Sequence, residues 1–270
     1  MSAAEHLREK VVNILVTNIC NLSCGGCSQQ CGYIPKEKLW NIPIDQLKWN
    51  IDLLIDARKG DPGTIGFFGG EPTLHPQFKD MVELTQSYKK VNFIIYSNGR
   101  DLKKIDKKKT NIEWRVDPKD KNSEVGGRGQ MFLPTQVASQ DLLKIADKRF
   151  YWKKAQKDCG MWNHCYCMIY NNKAYFCEIA ASWDIMNDEN HGWPLKWGVD
   201  PFAKTEEEIA AQAENFCYRC GWCLTQEELI KNKIPQQLVR DPTLVTHINM
   251  KFKTRIPMKK MKNNVAKIFL

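Results

Sequence analysis

Three cysteines, Cys20, Cys24 and Cys27, stand within eight residues of one another in a CxxxCxxC run. Thiolates at that spacing on one loop can hold three corners of a cubane iron–sulfur cluster. The fourth iron is then left without a protein ligand, and a cofactor or substrate can coordinate it. Gly25 and Gly26 let the intervening backbone curl so that the sulfurs converge. The competing chemistry is a zinc loop, which needs a fourth Cys or His, and Cys31 is the thiol in range.

A second set of cysteines lies far down the chain: Cys159, Cys165, Cys167, Cys177, Cys217, Cys220 and Cys223. Between the two sets stand Gly69-Gly70-Glu71-Pro72 and Ser97-Asn98-Gly99. Adjacent glycines bring backbone carbonyls and amides close to a ligand, and the Glu71 carboxylate can fix an ammonium group. Histidine occurs five times, at His6, His75, His164, His191 and His247, so no histidine-rich metal site competes with the thiols. His75 is expected to serve the helix start after GGEP, and His164, near Cys159 and Cys165, to pack or to face the second cysteine site.

These motifs need elements that carry them to one place. Residues 11–17 (VVNILVT), 64–68 (TIGFF), 91–96 (VNFIIY) and 112–116 (IEWRV) read as short buried strands. Helical stripes run over 43–57 and 75–88, and a further helix is expected over 140–150. Strand–helix alternation implies a parallel α/β sheet, whose ligands sit beyond the carboxyl ends of the strands. The first cysteine run, GGEP and SNG follow strands one, two and three, at that edge. Past residue 150 the texture changes, since most cysteines and six of the nine tryptophans follow Tyr151. The expected division is 1–150, 151–235 and a basic tail at 236–270.

In order, spacing and strand context, the CxxxCxxC run and FFGGEPTLHP resemble the radical S-adenosylmethionine (SAM) superfamily. The resemblance implies a partial (βα)6 TIM-like barrel in which Cys20, Cys24 and Cys27 ligate a [4Fe–4S] cluster whose open iron chelates SAM. It implies that Gly69, Gly70 and Glu71 hold the methionine ammonium, and that Ser97 and Asn98 contact the ribose. One electron, from a flavodoxin- or ferredoxin-type reductant, would cleave SAM to a 5′-deoxyadenosyl radical that removes a hydrogen atom from substrate. This chain departs from the family at Gly26, where an aromatic residue usually packs near the adenine; Tyr33 is the candidate replacement.

The later cysteines resemble the C-terminal auxiliary-cluster domain called SPASM, or Twitch in its shorter form. That pattern opens with Cys, nine to fifteen residues, Gly, four residues and Cys on a hairpin. Cys159, Asn172 and Cys177 fit the frame with Asn in the glycine place, and Asn tolerates left-handed backbone. The CxxCxxC run at Cys217, Cys220 and Cys223 is too short for two clusters, so the Twitch form is implied. Its [4Fe–4S] ligands would be Cys159, Cys177, Cys217 and Cys220, with Cys223 able to displace either of the last two. A zinc ribbon is the alternative. Cys165 and Cys167 are expected to pack or to neighbour the cluster.

Eleven cysteines, with no apolar segment in MSAAEHLREK, argue against an exported disulfide scaffold and for reduced, cytoplasmic thiols. The formal charge is +9, of which 236–270 carries +7 through eight Lys/Arg against Asp241. A near-neutral body does not read as a surface that tracks nucleic acid; the tail is a solvated run or a contact for an anionic surface. The leading expectation is an oxidoreductase acting on a small polar substrate, sugar- or aminocyclitol-like, with the auxiliary cluster taking the second electron. Peptide maturation, redox-neutral epimerisation and a zinc-stabilised nucleic-acid module are the alternatives. Arg115, Asp117, Glu124 and Arg128 are candidate substrate contacts.

Overall fold

A computed structural model describes residues 2–9, 11–22, 27–31, 34–99, 112–116, 143–164, 167–220, 223–224, 228 and 231. Cys24, Gly25, Gly26, Tyr33, Asp117, Glu124, Arg128, Cys165 and the 236–270 tail therefore lie outside the described residues.

Four strands fall where the apolar runs place them: β1 Val12–Thr17, β2 Thr64–Gly69, β3 Asn92–Ser97 and β4 Ile112–Val116. They pair in parallel, β1 with β2, β2 with β3 and β3 with β4. A parallel strand covered on both faces reads as a continuous apolar run, and all six residues of β1 are buried. In register, Ile14, Phe67, Ile95 and Trp114 form one row across these strands. Helices α1 (Ala3–Glu9), α2 (Ile44–Ala57) and α3 (Phe78–Gln86) contribute Leu7, Leu47, Ile51, Leu54 and Met81 to the same core.

Two helices differ from the expected spans. Helix α3 starts at Phe78 rather than at 75, because Pro72–Leu74 forms a 3₁₀ turn first and the Gln77 N–H donates to His75 Nδ1 at 3.0 Å. Of the helix expected over 140–150, residues 140–142 lie outside the described residues, 144–147 are not helical, and helix α4 runs over Lys148–Asp158. Asp147 caps it by accepting from the Phe150 N–H at 2.7 Å, a cap that the apolar stripe alone does not reveal.

The chain then adds α5 (Gly160–His164), β5 (Cys167–Tyr170), β6 (Lys173–Tyr175), α6 (Glu178–Asn187), β7 (Trp193–Pro194) and α7 (Glu206–Ala213). Strand β5 pairs in parallel with β1, on the side away from β2, with Ile14 opposite Ile169. The seven strands make one sheet in the order β4-β3-β2-β1-β5-β6-β7. The β5–β6 hairpin turns through Asn171 (φ 41°) and Asn172 (φ 62°), the left-handed geometry expected of Asn in that place. Strand order thus reverses beside β1. In open α/β sheets such a switch point is where ligands bind, at the carboxyl ends of the strands. Cys20 follows directly from that end. No helix among the described residues is long and apolar enough to cross a membrane.

Candidate active site and cysteine cavity

The carboxyl ends of β1, β2 and β3 converge on Glu71. Its side chain is fully buried, at 0% exposure. Glu71 Oε1 accepts from Thr73 Oγ1 at 2.6 Å, Ser97 Oγ at 2.8 Å and the Thr73 N–H at 3.2 Å. Its Oε2 accepts from the Asn98 N–H at 2.7 Å. The carboxylate therefore fastens GGEP to SNG, a role that its motif position does not announce. Ser97 Oγ also accepts the Gly99 N–H at 3.0 Å, which closes the turn after β3.

The two glycines serve backbone approach. Residues 69–71 lie against the segment that leads into Cys20: the Gly70 N–H donates to Thr17 O at 2.7 Å and the Glu71 N–H to Ile19 O at 2.8 Å. A Cβ on Gly69 would stand 2.0 Å from Thr17 O, and one on Gly70 would stand 2.1 Å from Ile19 O. Gly69 also takes φ +140°. The space a side chain would fill is thus taken by the cysteine loop's own backbone. Asn98 completes the tether, its Nδ2 donating to Asn21 Oδ1 at 2.8 Å.

Cys20 and Cys27 are half-buried, and Cys31 is buried. The Leu22 N–H donates to Cys20 Sγ at 3.4 Å, a contact of the kind that stabilises ligating sulfur. Four thiolates on zinc would stand about 3.8 Å apart, given a bond of about 2.3 Å. Among the described residues, Cys20, Cys27 and Cys31 do not converge to within 4.8 Å of one another.

A second, separate site is a partly open pocket lined by Cys159, Cys177, Cys217, Cys220 and Cys223. Its other lining side chains are apolar, Trp162, Phe176 and Phe216 among them. Four of the five thiols come from element termini. Cys159 ends α4, with its N–H donating to Ala155 O. Cys177 is the N-cap of α6, where its side chain makes no capping bond and lines the cavity instead. Cys217 opens a 3₁₀ turn, Cys217–Arg219, that Cys220 closes.

Burial pushes the Cys217 thiol well above its ordinary value, with the neighbouring Cys223, Cys220, Cys159 and Cys177 adding to it. Burial first, and Cys159 next, push Cys223 up to about 12. These thiols hold their protons until a cation displaces them. The cavity thus gathers the four expected thiols and adds Cys223. Cys167 is elsewhere, buried on β5 with Sγ donating to Val11 O at 3.6 Å.

The two sites are stitched together by α6. Ser182 Oγ donates to Ser28 O at 3.0 Å and accepts from Gln30 Nε2 at 2.9 Å. The loop that holds Cys27 is therefore bound to the helix that Cys177 caps. Of the candidate substrate contacts, Arg115 is described: its Nε donates to Glu113 Oε1 at 2.6 Å and its Nη1 to Tyr96 Oη at 3.4 Å.

No curated protein matches the chain. Residues 14–112 match the family model described as the Radical SAM superfamily, a span that runs from β1 to the first residue of β4 and ends before the second cysteine set. That match supports the superfamily, and with it an enzyme of SAM-dependent radical chemistry on a SAM-binding [4Fe–4S] cluster.

Proposed function

We propose that this protein is a radical SAM oxidoreductase that oxidises a small polar substrate, sugar- or aminocyclitol-like, with a Twitch-like auxiliary [4Fe–4S] cluster in its C-terminal part. The observation that carries the reading is the cavity lined by five thiols and otherwise apolar side chains, joined through α6 to the loop of the first cysteine run. Cys20, Cys24 and Cys27 hold the first cluster; Cys159, Cys177, Cys217 and Cys220 hold the second, with Cys223 at the same cavity. When bound, these groups and SAM supply one-electron cleavage of SAM, hydrogen-atom abstraction and a sink for the electron left on substrate.

The chain's own residues bind and orient. The backbone of Gly69 and Gly70, with the buried charge of Glu71 beneath, holds the methionine ammonium. The bonds that Glu71 makes to Ser97 and Asn98 fix the turn after β3, whose residues would contact the ribose. Arg115 pairs in register with Tyr96, one position before Ser97, and offers a charged contact to a polar substrate. The apolar lining of the second cavity excludes water from the sulfurs. The barrel-like core over 1–150, the auxiliary unit over 151–235, the cytoplasmic setting and the flavodoxin- or ferredoxin-type electron donor are parts of the same reading.

Anaerobic reconstitution tests it. The expected result is a brown protein with about eight irons per chain. Incubation with dithionite, SAM and carbon-deuterated polyols should move label into 5′-deoxyadenosine, and Cys24→Ala should abolish 5′-deoxyadenosine formation. A colourless, zinc-loaded active protein would overturn the reading. A ceiling of four irons with SAM cleavage intact would remove the auxiliary cluster alone.

A further inference from the structure

The turn between Cys217 and Cys220 contains Arg219, whose side chain is 17% exposed. Arg219 Nη1 meets Glu189 Oε1 at 2.5 Å, and Nε donates to Tyr218 Oη at 2.9 Å. The guanidinium lies against two aromatic rings, Trp183 at 5.4 Å and Tyr218 at 5.2 Å. Glu189 is itself anchored. Its N–H donates to Asp184 O at 3.3 Å, and its Oε2 stands 3.2 Å from His191 Nε2. Asp184 Oδ2 in turn accepts from Tyr175 Oη at 2.8 Å and the His191 N–H at 2.9 Å. The His191 ring packs on Phe216, which lines the cysteine cavity and precedes Cys217.

An exposed ion pair contributes little, because water screens it. This pair is different. Both side chains are mostly buried and the cation is fixed between rings, so its field is screened less than that of an exposed pair. Arg219 sits between two of the thiols in the chain, whereas Glu189 reaches it from beyond the end of α6. Along the chain, the cation is thus the member of the pair directly bonded to a cavity cysteine.

Resting on the auxiliary-cluster reading above, we propose that Arg219 and Glu189 are opposed positioning residues that set the electron affinity of the cluster at Cys217 and Cys220. A thiolate-bound cluster gains negative charge on reduction, so Arg219 stabilises the reduced form and raises the potential. Glu189 moderates that effect by partly neutralising Arg219.

The test is an EPR-monitored redox titration of the anaerobically reconstituted full chain, with the first cluster as internal reference. Arg219→Gln should move the second potential to more negative values and Glu189→Gln to more positive ones. Each shift should be about a tenfold change in the reduced-to-oxidised ratio, 59 mV for one electron. Arg219→Lys, which keeps the charge, should stay nearest to wild type. A merely structural brace would move both Gln variants in the same direction or leave the potential unmoved, and either result overturns the proposal. If Arg219→Gln fails to retain its second set of irons, Glu189→Gln decides alone: a rise supports the proposal, and a fall or no change overturns it. A wild type holding only four irons overturns the two-cluster reading and this proposal with it. Eight irons with unmoved potentials overturn this proposal alone.

Discussion

The backbone N–H of Asn98 donates to the carboxylate of Glu71 at 2.7 Å, so the end of β3 is held by a charge that belongs to the end of β2. The same carboxylate accepts from Ser97, and from Thr73 twice, while fully buried.

Removing that carboxylate strands several buried donors at once. Glu71→Ala should destabilise the fold by about 3 kcal/mol, the scale of lost hydrogen bonds to a buried charged acceptor. Urea unfolding measures this. Glu71→Gln should fall between, because its amide NH₂ would face a donor where the carboxylate accepted. Both variants should bind SAM more weakly than wild type.

Gly70→Ala tests the backbone contact directly. A methyl group 2.1 Å from Ile19 O must push the segment before Cys20 away from GGEP. The expected outcome is a stability loss of about 2–3 kcal/mol and an iron content that falls by half, with the distant cysteine cavity still loaded. Iron assay and 5′-deoxyadenosine formation report the two effects separately.

The cysteine cavity predicts an asymmetry. Cys177 alone approaches it from the N-terminus of α6, so Cys177→Ala should lose about four irons per chain. Cys220→Ala should retain most of them, because Cys223 lines the same cavity and can take over. Cys167→Ala, on a thiol that touches the Val11 carbonyl instead, should keep all the iron.

His75 gives a pH prediction with a definite sign. Its Nε2–H donates to Ile42 O at 2.9 Å while Nδ1 accepts the Gln77 N–H, which is the neutral ring. Burial lowers its pKa, and the Ile42 carbonyl only partly opposes this. The unfolded chain therefore binds the proton more readily, so stability is full above the ordinary value near 6.5 and falls as pH drops below it. His75→Gln should flatten that part of the urea midpoint against pH between 7.5 and 5.5.

Much of this was legible in the sequence because it is local. Strands β1 to β4 and helix α2 follow from short apolar periodicities, and Asn172 from the tolerance of Asn for left-handed backbone. GGEP and SNG were legible as a site by their position after strands. What they do to each other was not, since Glu71 and Ser97 lie far apart in the chain and their bond depends on parallel register. The same holds for β5 beside β1, a pairing that no local pattern encodes. Cys223 could be offered only as an alternative, because spacing within CxxCxxC does not say which sulfurs face inward.

The pairing of β5 with β1 has a kinetic consequence. The first thiol group follows β1, Cys177 of the second follows the β5–β6 hairpin of the same sheet, and Ser182 rivets α6 to the loop of Cys27. The gap an electron would cross between them is set by rigid architecture and not by a swinging linker. Turnover would then depend on substrate entry and on the relative energies of donor and acceptor, with the tunnelling distance held constant throughout the cycle.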